Sequence, residues 1–170
     1  MIVVRDYDPR WPVLFEREAA RIRSAVGARA KLLEHVGSTS VPGLSAKPVI
    51  DIILAVPDSS DESAYAPALE AAGYVLRIRE PEWFEHRLFN GPDTDVNLHV
   101  FTAGCAEIAQ MVLFRDWLRT HPEARDRYAN EKRELAKKTW RSIEDYADAK
   151  TNIVHQILAE ARASEGPSPG

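Results

Sequence analysis

A chain of 170 residues, 45% hydrophobic and 28% charged, fits one globular domain that buries about two-thirds of its unfolded-state surface. Its net charge of −4 excludes a sequence-independent binder of extended nucleic acid, which needs a basic face to neutralise many phosphates. One cysteine, Cys105, rules out an internal disulfide, the start MIVVRDYDPRWP lacks the basic-then-apolar order of a secretory signal, and no apolar run approaches the ~20 residues of a membrane span; we therefore expect a cytoplasmic protein with no membrane partner and leave its oligomeric state open.

The first predicted element is an amphipathic helix from Pro12 to Val26, opened by the proline, with apolar residues at Val13, Leu14, Ala20, Ile22 and Val26, and stopped by Gly27. Strands follow at Ala30 to Val36 and Pro48 to Val56. The second is almost wholly apolar and β-branched, which predicts a central strand covered on both faces. A helix is expected from about Asp61 to Ala72, then strands at Tyr74 to Ile78, His86 to Asn90 and Asp95 to Phe101. The remainder reads as three helices, Ala106 to Thr120, Pro122 to Lys138 and Ser142 to Ala163, with a Pro/Gly/Ser-rich tail over 164–170 that is expected to fray. The expected architecture is an α/β (α+β) domain over 1–163, with a mixed-sheet front half and a helical back half.

Two predicted strands are joined by the segment from His35 to Pro48, which begins Gly37-Ser38-Thr39-Ser40 and ends at Lys47. Glycine lets backbone N–H groups approach an anion, hydroxyls donate further hydrogen bonds, and the lysine adds charge. His35, Gly37, Ser38, Thr39, Ser40 and Lys47 are accordingly candidate ligand contacts. The segment is no P-loop, because Leu44 follows Gly43 where that motif needs lysine. Asp51 stands within Pro48-Val49-Ile50-Asp51-Ile52-Ile53-Leu54. A carboxylate among such neighbours persists when paired, hydrogen-bonded or bound to a metal such as Mg²⁺. The alternatives are a structural salt bridge, for instance to Lys47, and a working acid beside the turn. On the later strand, Asp95, Asn97 and His99 alternate with Val96, Leu98 and Val100, so Asn97 and His99 share a face. His99 is the candidate partner of Asp51, as metal ligand, general base or hydrogen-bond donor to a ligand, unless it merely lines a polar edge.

A Gly-Ser turn followed by an aspartate-bearing strand resembles the DNA polymerase beta-like nucleotidyltransferases, in which Gly-Ser holds a triphosphate and strand carboxylates hold Mg²⁺. More closely, EHVGSTSVPGLSAKPVIDI, NLHVF, LFRDWLRTHPEARDRYANEKRELA and YADAKTNIVHQIL are similar to the GrpB family, over Tyr7 to about Leu158. The resemblance implies a nucleotidyltransferase-like mixed sheet with the C-terminal helical half packed on it. It also implies a nucleotide or other phosphorylated small molecule as partner, Asp51 as the Mg²⁺ ligand and related domains fused to dephospho-coenzyme A kinase. Here the chain departs from polymerase-type enzymes, whose acids stand at i and i+2, because Val49 and Ile53 are aliphatic. The usual two-metal clamp is not supplied by this strand.

The predicted helices carry cations on their apolar stripes. Arg115 lies three residues from Val112 and Leu118, Lys132 four after Tyr128, and Lys150 four after Tyr146. Single basic residues in such places commonly snorkel to water. Three together are expected to converge near Gly37-Ser38 and hold a polyphosphate, with Arg87 of His86-Arg87-Leu88-Phe89 as a further candidate. The function expected from these residues is nucleotide or phosphate-ligand binding, either with Mg²⁺-dependent nucleotidyl transfer to a small acceptor or as a non-catalytic regulatory or stabilising module.

Overall fold

The computed structural model describes residues 4–93, 95–137 and 143–165, and of 143–148 and 165 the backbone alone. Helix α1, Trp11–Val26, begins with proline in its first turn, where a missing N–H does no harm. Its buried stripe is Trp11, Phe15, Ala19, Ile22 and Val26, spaced by three and four. The expected stripe holds at Ile22 and Val26 and fails at Val13, which is 67% exposed, and at Ala20, where Ala19 is buried instead.

Strands β1 (Leu32–Val36), β2 (Ile50–Val56), β3 (Val75–Glu80), β4 (His86–Asn90) and β5 (Val96–Thr102) form one sheet in the order β1-β2-β5-β4-β3. Only the β2 and β5 pair is parallel. Strand β2 is covered on both faces, as its composition predicts. Ile50, Ile52, Leu54 and Val56 pack with α1 and with α2, Ala66–Ala71, whereas Ile53 and Ala55 pack with Ile108 of α3, Ala106–Thr120. The expected single helix from Asp61 to Ala72 is instead a 3₁₀ turn at Glu62–Ala64 followed by α2. Pro67 is the reason: it lacks an N–H and its ring clashes with the carbonyl four residues back, so it starts the helix.

Helices α4 (Pro122–Lys137) and α5 (Ile143–Glu165) complete the second layer. Their apolar faces do not rest on the sheet alone. Val41 and Leu44, from the β1–β2 connection, are wholly buried among Leu118, Tyr128, Ile153 and Ile157. That connection is thereby clamped between sheet and helices, which brings the Gly-Ser turn under α4. Helix α5 runs to Glu165, so the expected frayed segment does not begin at Ser164; residues 166–170, Trp140 and the predicted helix start at Ser142 lie outside the described residues. Among the described residues no helix is long and apolar enough to cross a membrane.

Candidate functional site

Strand β1 ends at Val36, and Gly37 turns the chain with φ 74°. Ser38–Ser40 then form one 3₁₀ turn, closed by the Ser40 N–H and hydroxyl on the Gly37 carbonyl. Glycine is required at this position twice over. The positive φ disfavours a side chain, and a Cβ there would stand 2.5 Å from the Asp51 Oδ2, closer than real contacts allow. The acid and the turn therefore touch backbone to side chain, with nothing between them.

Asp51 faces the α3–α5 side of β2, beside a cavity of about 240 Å³ whose walls include Ser38, Lys47, Asn97, Lys132 and Lys150. Lys132, on α4, is 4% exposed. Its Nζ donates to Ser38 Oγ (2.8 Å) and to the Ser45 carbonyl (2.9 Å), and lies 4.6 Å from the centre of the Tyr128 ring. Burial, then repulsion from Lys150 and Arg133, pulls its pKa down to about 7 against the attraction of Asp51. Lys150 is also lowered by burial, with Asp51 opposing. An ammonium group held as dry as that of Lys132 stabilises an anion more than a solvated one does, because desolvation has already been met in folding and the local dielectric is low; Lys150 is partly buried. Lys47 is exposed and supplies a third charge at the cavity.

A polar chain crosses the sheet from Asp51. His99 Nε2 lies 3.2 Å from Asp51 Oδ1, His99 Nδ1 lies 3.0 Å from His86 Nε2, and His86 Nδ1 lies 2.8 Å from Glu80 Oε1. Three hydrogen bonds between two imidazoles and two carboxylates need three protons on four ring nitrogens. Burial and the neighbouring His99 lower the pKa of His86. With both rings neutral, two protons serve three contacts, and one nitrogen lone pair meets an acceptor. Beside this chain, Asn97 pairs in register with Asp51, and its Oδ1 accepts from Asn90 Nδ2 at 3.0 Å.

The donor set limits what a magnesium ion can do here. Asp51 offers one carboxylate, and no group of three or more His, Cys, Asp or Glu among the described residues could hold an ion. A paired-metal clamp does not fit. A single Mg²⁺ arriving on a phosphate chain does fit, since that ion keeps several waters and takes one or two protein carboxylates.

The sequence profile of the GrpB protein family matches residues 1–160. The chain belongs to the GrpB family. It is 61% identical over 163 residues to a UPF0157 protein of Halalkalibacterium halodurans, covering 96% of this chain and 84% of that one. The crystal structure of the conserved protein GrpB from Enterococcus faecalis superposes with a TM-score of 0.85 at 29% identity, covering 97% of this chain and all of that one. A dephospho-CoA kinase of Mycolicibacterium paratuberculosis is 30% identical over 169 residues, covering 84% of this chain and 42% of the kinase.

Within this GrpB-family fold, Gly37, Ser38, Lys47, Asp51, Asn97, His99, Lys132 and Lys150 are gathered about one hollow. Five other candidates are not. His35 points to the opposite face of the sheet, stacked on Phe15 with ring centres 4.9 Å apart. The Thr39 hydroxyl donates to the Val49 carbonyl, so it accepts from His35 Nε2–H at 2.9 Å, and burial depresses the His35 pKa to about 4. Thr39 and Ser40 are buried braces of the turn, and the Ser40 carbonyl accepts from Arg119 Nε (3.0 Å) and Nη2 (2.9 Å). Arg115 does not reach the hollow. Its Nη1 donates to Glu34 Oε2 (2.7 Å) and the His35 carbonyl (3.0 Å), bolting α3 to β1. Arg87 faces the α2 side and pairs with Glu62 (2.7 Å) and Glu85 (3.1 Å). The Tyr146 side chain, four residues before Lys150 on the expected stripe, lies outside what is described.

His86, Glu80, Asn90 and Arg119 were missed. Alternation in β4 puts His86, Leu88 and Asn90 on one face, so the signal for two of them was present, but only the β4–β5 register turns that face toward His99.

Proposed function

We propose that this protein binds a nucleotide or related phosphorylated small molecule in the hollow between the Gly-Ser turn and α4. The observation that carries this reading is the Lys132 ammonium, nearly waterless, tied to Ser38 and sharing its cavity with Lys150 and Asp51. Cations kept in such a place are expensive to maintain without an anion to receive. Ser38 and the three lysines would hold phosphate oxygens. Asp51 would hold Mg²⁺ carried by the phosphate chain, and the ion would neutralise charge there. Similarity to a region of a dephospho-CoA kinase, an enzyme named for a nucleotide-containing substrate, supports the same ligand class.

Nucleotidyl transfer to a small acceptor is the second reading, favoured by the Asp51 to His99 contact, which sets a carboxylate on the cavity wall with an imidazole behind it. His86 and Glu80 would orient that imidazole. A non-catalytic binding module is its alternative. Calorimetric titration of the protein with ATP and with inorganic tripolyphosphate, with and without Mg²⁺, tests the binding reading. A ligand at 100 times its dissociation constant stabilises the fold by about 2.7 kcal/mol, so thermal shift gives a second readout. Loss of binding in Lys132→Met and loss of its Mg²⁺ dependence in Asp51→Ala are expected. Unchanged affinity in both variants would place the ligand elsewhere.

A further inference from the structure

Helix α3 presents Glu107, Gln110, Met111 and Phe114 at i, i+3, i+4 and i+7, and α5 presents Thr151, Val154, His155 and Leu158 at the same spacing. Faces with that pattern normally interdigitate. Here they border a half-open chamber of about 460 Å³ that Trp83 also lines. The core beneath is complete, with Ile53, Phe101 and Ile108 buried, so the hollow is confined to the layer between the helices.

Three features say what would fill it. The chamber adjoins the cation cavity: Lys150 lines both, and Gly37 of the chamber wall is next to Ser38 of the cavity wall. A ligand whose phosphates rest on Ser38 and Lys150 has room for its other end there; the other adjoining hollow, of about 360 Å³ along Lys47, Val49 and Asn97, has no aromatic wall among the described residues. Flat, polarisable surfaces line it. Trp83 is held edge-on by Phe101 (5.5 Å, 75°) and His86 (4.7 Å, 70°), and Phe114 by Tyr128 (5.3 Å, 70°), so both rings are set before any ligand arrives. The turn carrying Trp83 runs through Phe84 (φ 56°) and Glu85 (φ 51°), a left-handed path that is strained for side-chain-bearing residues and is kept at ligand clamps more often than elsewhere. Polar groups complete the wall. The Gln110 amide both donates and accepts, and the Glu107 carboxyl, its pKa raised by burial, adds a second polar group. An aliphatic tail would leave both unpaired, whereas a ring with nitrogen and carbonyl edges satisfies them.

We infer that the α3–α5 chamber receives a planar heteroaromatic ring borne on a phosphate chain, the base of a nucleoside di- or triphosphate, while the phosphates occupy the adjoining cation cavity. This rests on the anion-binding reading above and specifies its ligand. Chambers of this size with apolar walls and few polar groups are the usual form of small-molecule sites.

The test is calorimetric titration of the full chain in magnesium buffer with ATP, inorganic tripolyphosphate and geranyl diphosphate. ATP is expected to bind at least about tenfold tighter than tripolyphosphate, the range that one stacked base contributes. Val154→Trp, which fills the chamber, should bring ATP to within about twofold of tripolyphosphate and leave the latter unchanged. Gln110→Ala, at a half-exposed helix position that folding tolerates, should weaken ATP about fivefold, as expected for one lost hydrogen bond. Equal wild-type affinities for ATP and tripolyphosphate overturn the ring subsite while leaving the anion site standing. Tighter binding of geranyl diphosphate than of ATP overturns it in favour of an aliphatic occupant. Binding of none of the three overturns both this inference and the reading on which it rests.

Discussion

The two faces of the sheet differ in where their buried charges lead, although Arg115 and His86 on the α3–α5 face are paired within the fold. On the α1–α2 face the described buried groups are paired within the fold, save Glu18 Oε1, which has no hydrogen bond and only Arg17 Nη2 at 3.5 Å. Glu18 is fully buried and accepts from the Tyr74 hydroxyl with Arg17 and Arg21 beside it, Arg87 is spent on Glu62 and Glu85, and His35 is locked between Phe15 and Thr39. On the α3–α5 face, Asp51, Lys132 and Lys150 border an open hollow, and His99 points into it only through Asp51. Satisfied networks rigidify a core. Charges that line a cavity instead make a core less stable than it could be, which is the usual mark of a site kept for binding.

That contrast can be broken by mutation, most strongly on the closed face. Glu18→Ala strips partners from the Tyr74 hydroxyl and two arginines and opens a void, so we expect a loss of about 3 kcal/mol in chemical denaturation with anion binding intact. Gly37→Ala stands at the boundary between the faces. The left-handed backbone costs about 1–2 kcal/mol and the clash with Asp51 adds to it, so stability should fall by about 2–3 kcal/mol and ligand affinity should be lost as well. If the two substitutions affect binding equally, the division between the faces is wrong.

Acid should weaken the closed face next. The folded pKa of His35, about 4, lies below its ordinary value of 6.5, so the unfolded chain takes up a proton that the native state refuses. Stability is full above about 6.5 and falls as pH drops toward 4, by on the order of 3 kcal/mol, close to the free energy equivalent of the shift. His35→Phe should flatten that part of the denaturation profile; an unchanged slope would mean that His35 titrates normally.

The smallest effect on stability is expected at Lys132, and that is what makes it informative. Lys132→Met replaces a buried cation by an apolar chain of similar length, so stability at neutral pH should change by less than about 1 kcal/mol, in either direction, while tripolyphosphate affinity falls about tenfold to a hundredfold. The pH sign is worked out from its pKa of about 7, depressed from 10.5. Between those values the unfolded chain holds a proton that the native state has released, so wild-type stability gains with rising pH relative to Lys132→Met. Anion binding runs the other way. It needs the protonated amine, so wild-type affinity should decline as pH rises through about 7, and a flat profile would remove Lys132 from the site.

Much of this was legible beforehand. The ends of β4 and α3 were read to the residue, and β2 was recognised as covered on both faces because only β-branched and aliphatic side chains flank Asp51. Alternation in β5 correctly put Asn97 and His99 together, since a strand's period is indifferent to its neighbours. Helical periodicity correctly turned Arg115, Lys132 and Lys150 inward. It had no means of ranking them, because the tip of a long side chain goes to the nearest acceptor: Glu34 intercepts Arg115, and Ser38 captures Lys132.

What the chain determined alone is local. A glycine able to take positive φ, an acid in an apolar strand and cations on amphipathic helices are consequences of backbone sterics and side-chain period, and each is decided within a few residues. The tertiary structure decided which of them meet. Val41 and Leu44, buried among the helices, draw the turn beneath α4, and the β4–β5 register aligns His86 with His99. Both depend on contacts between residues distant in sequence, whose energies no local pattern encodes.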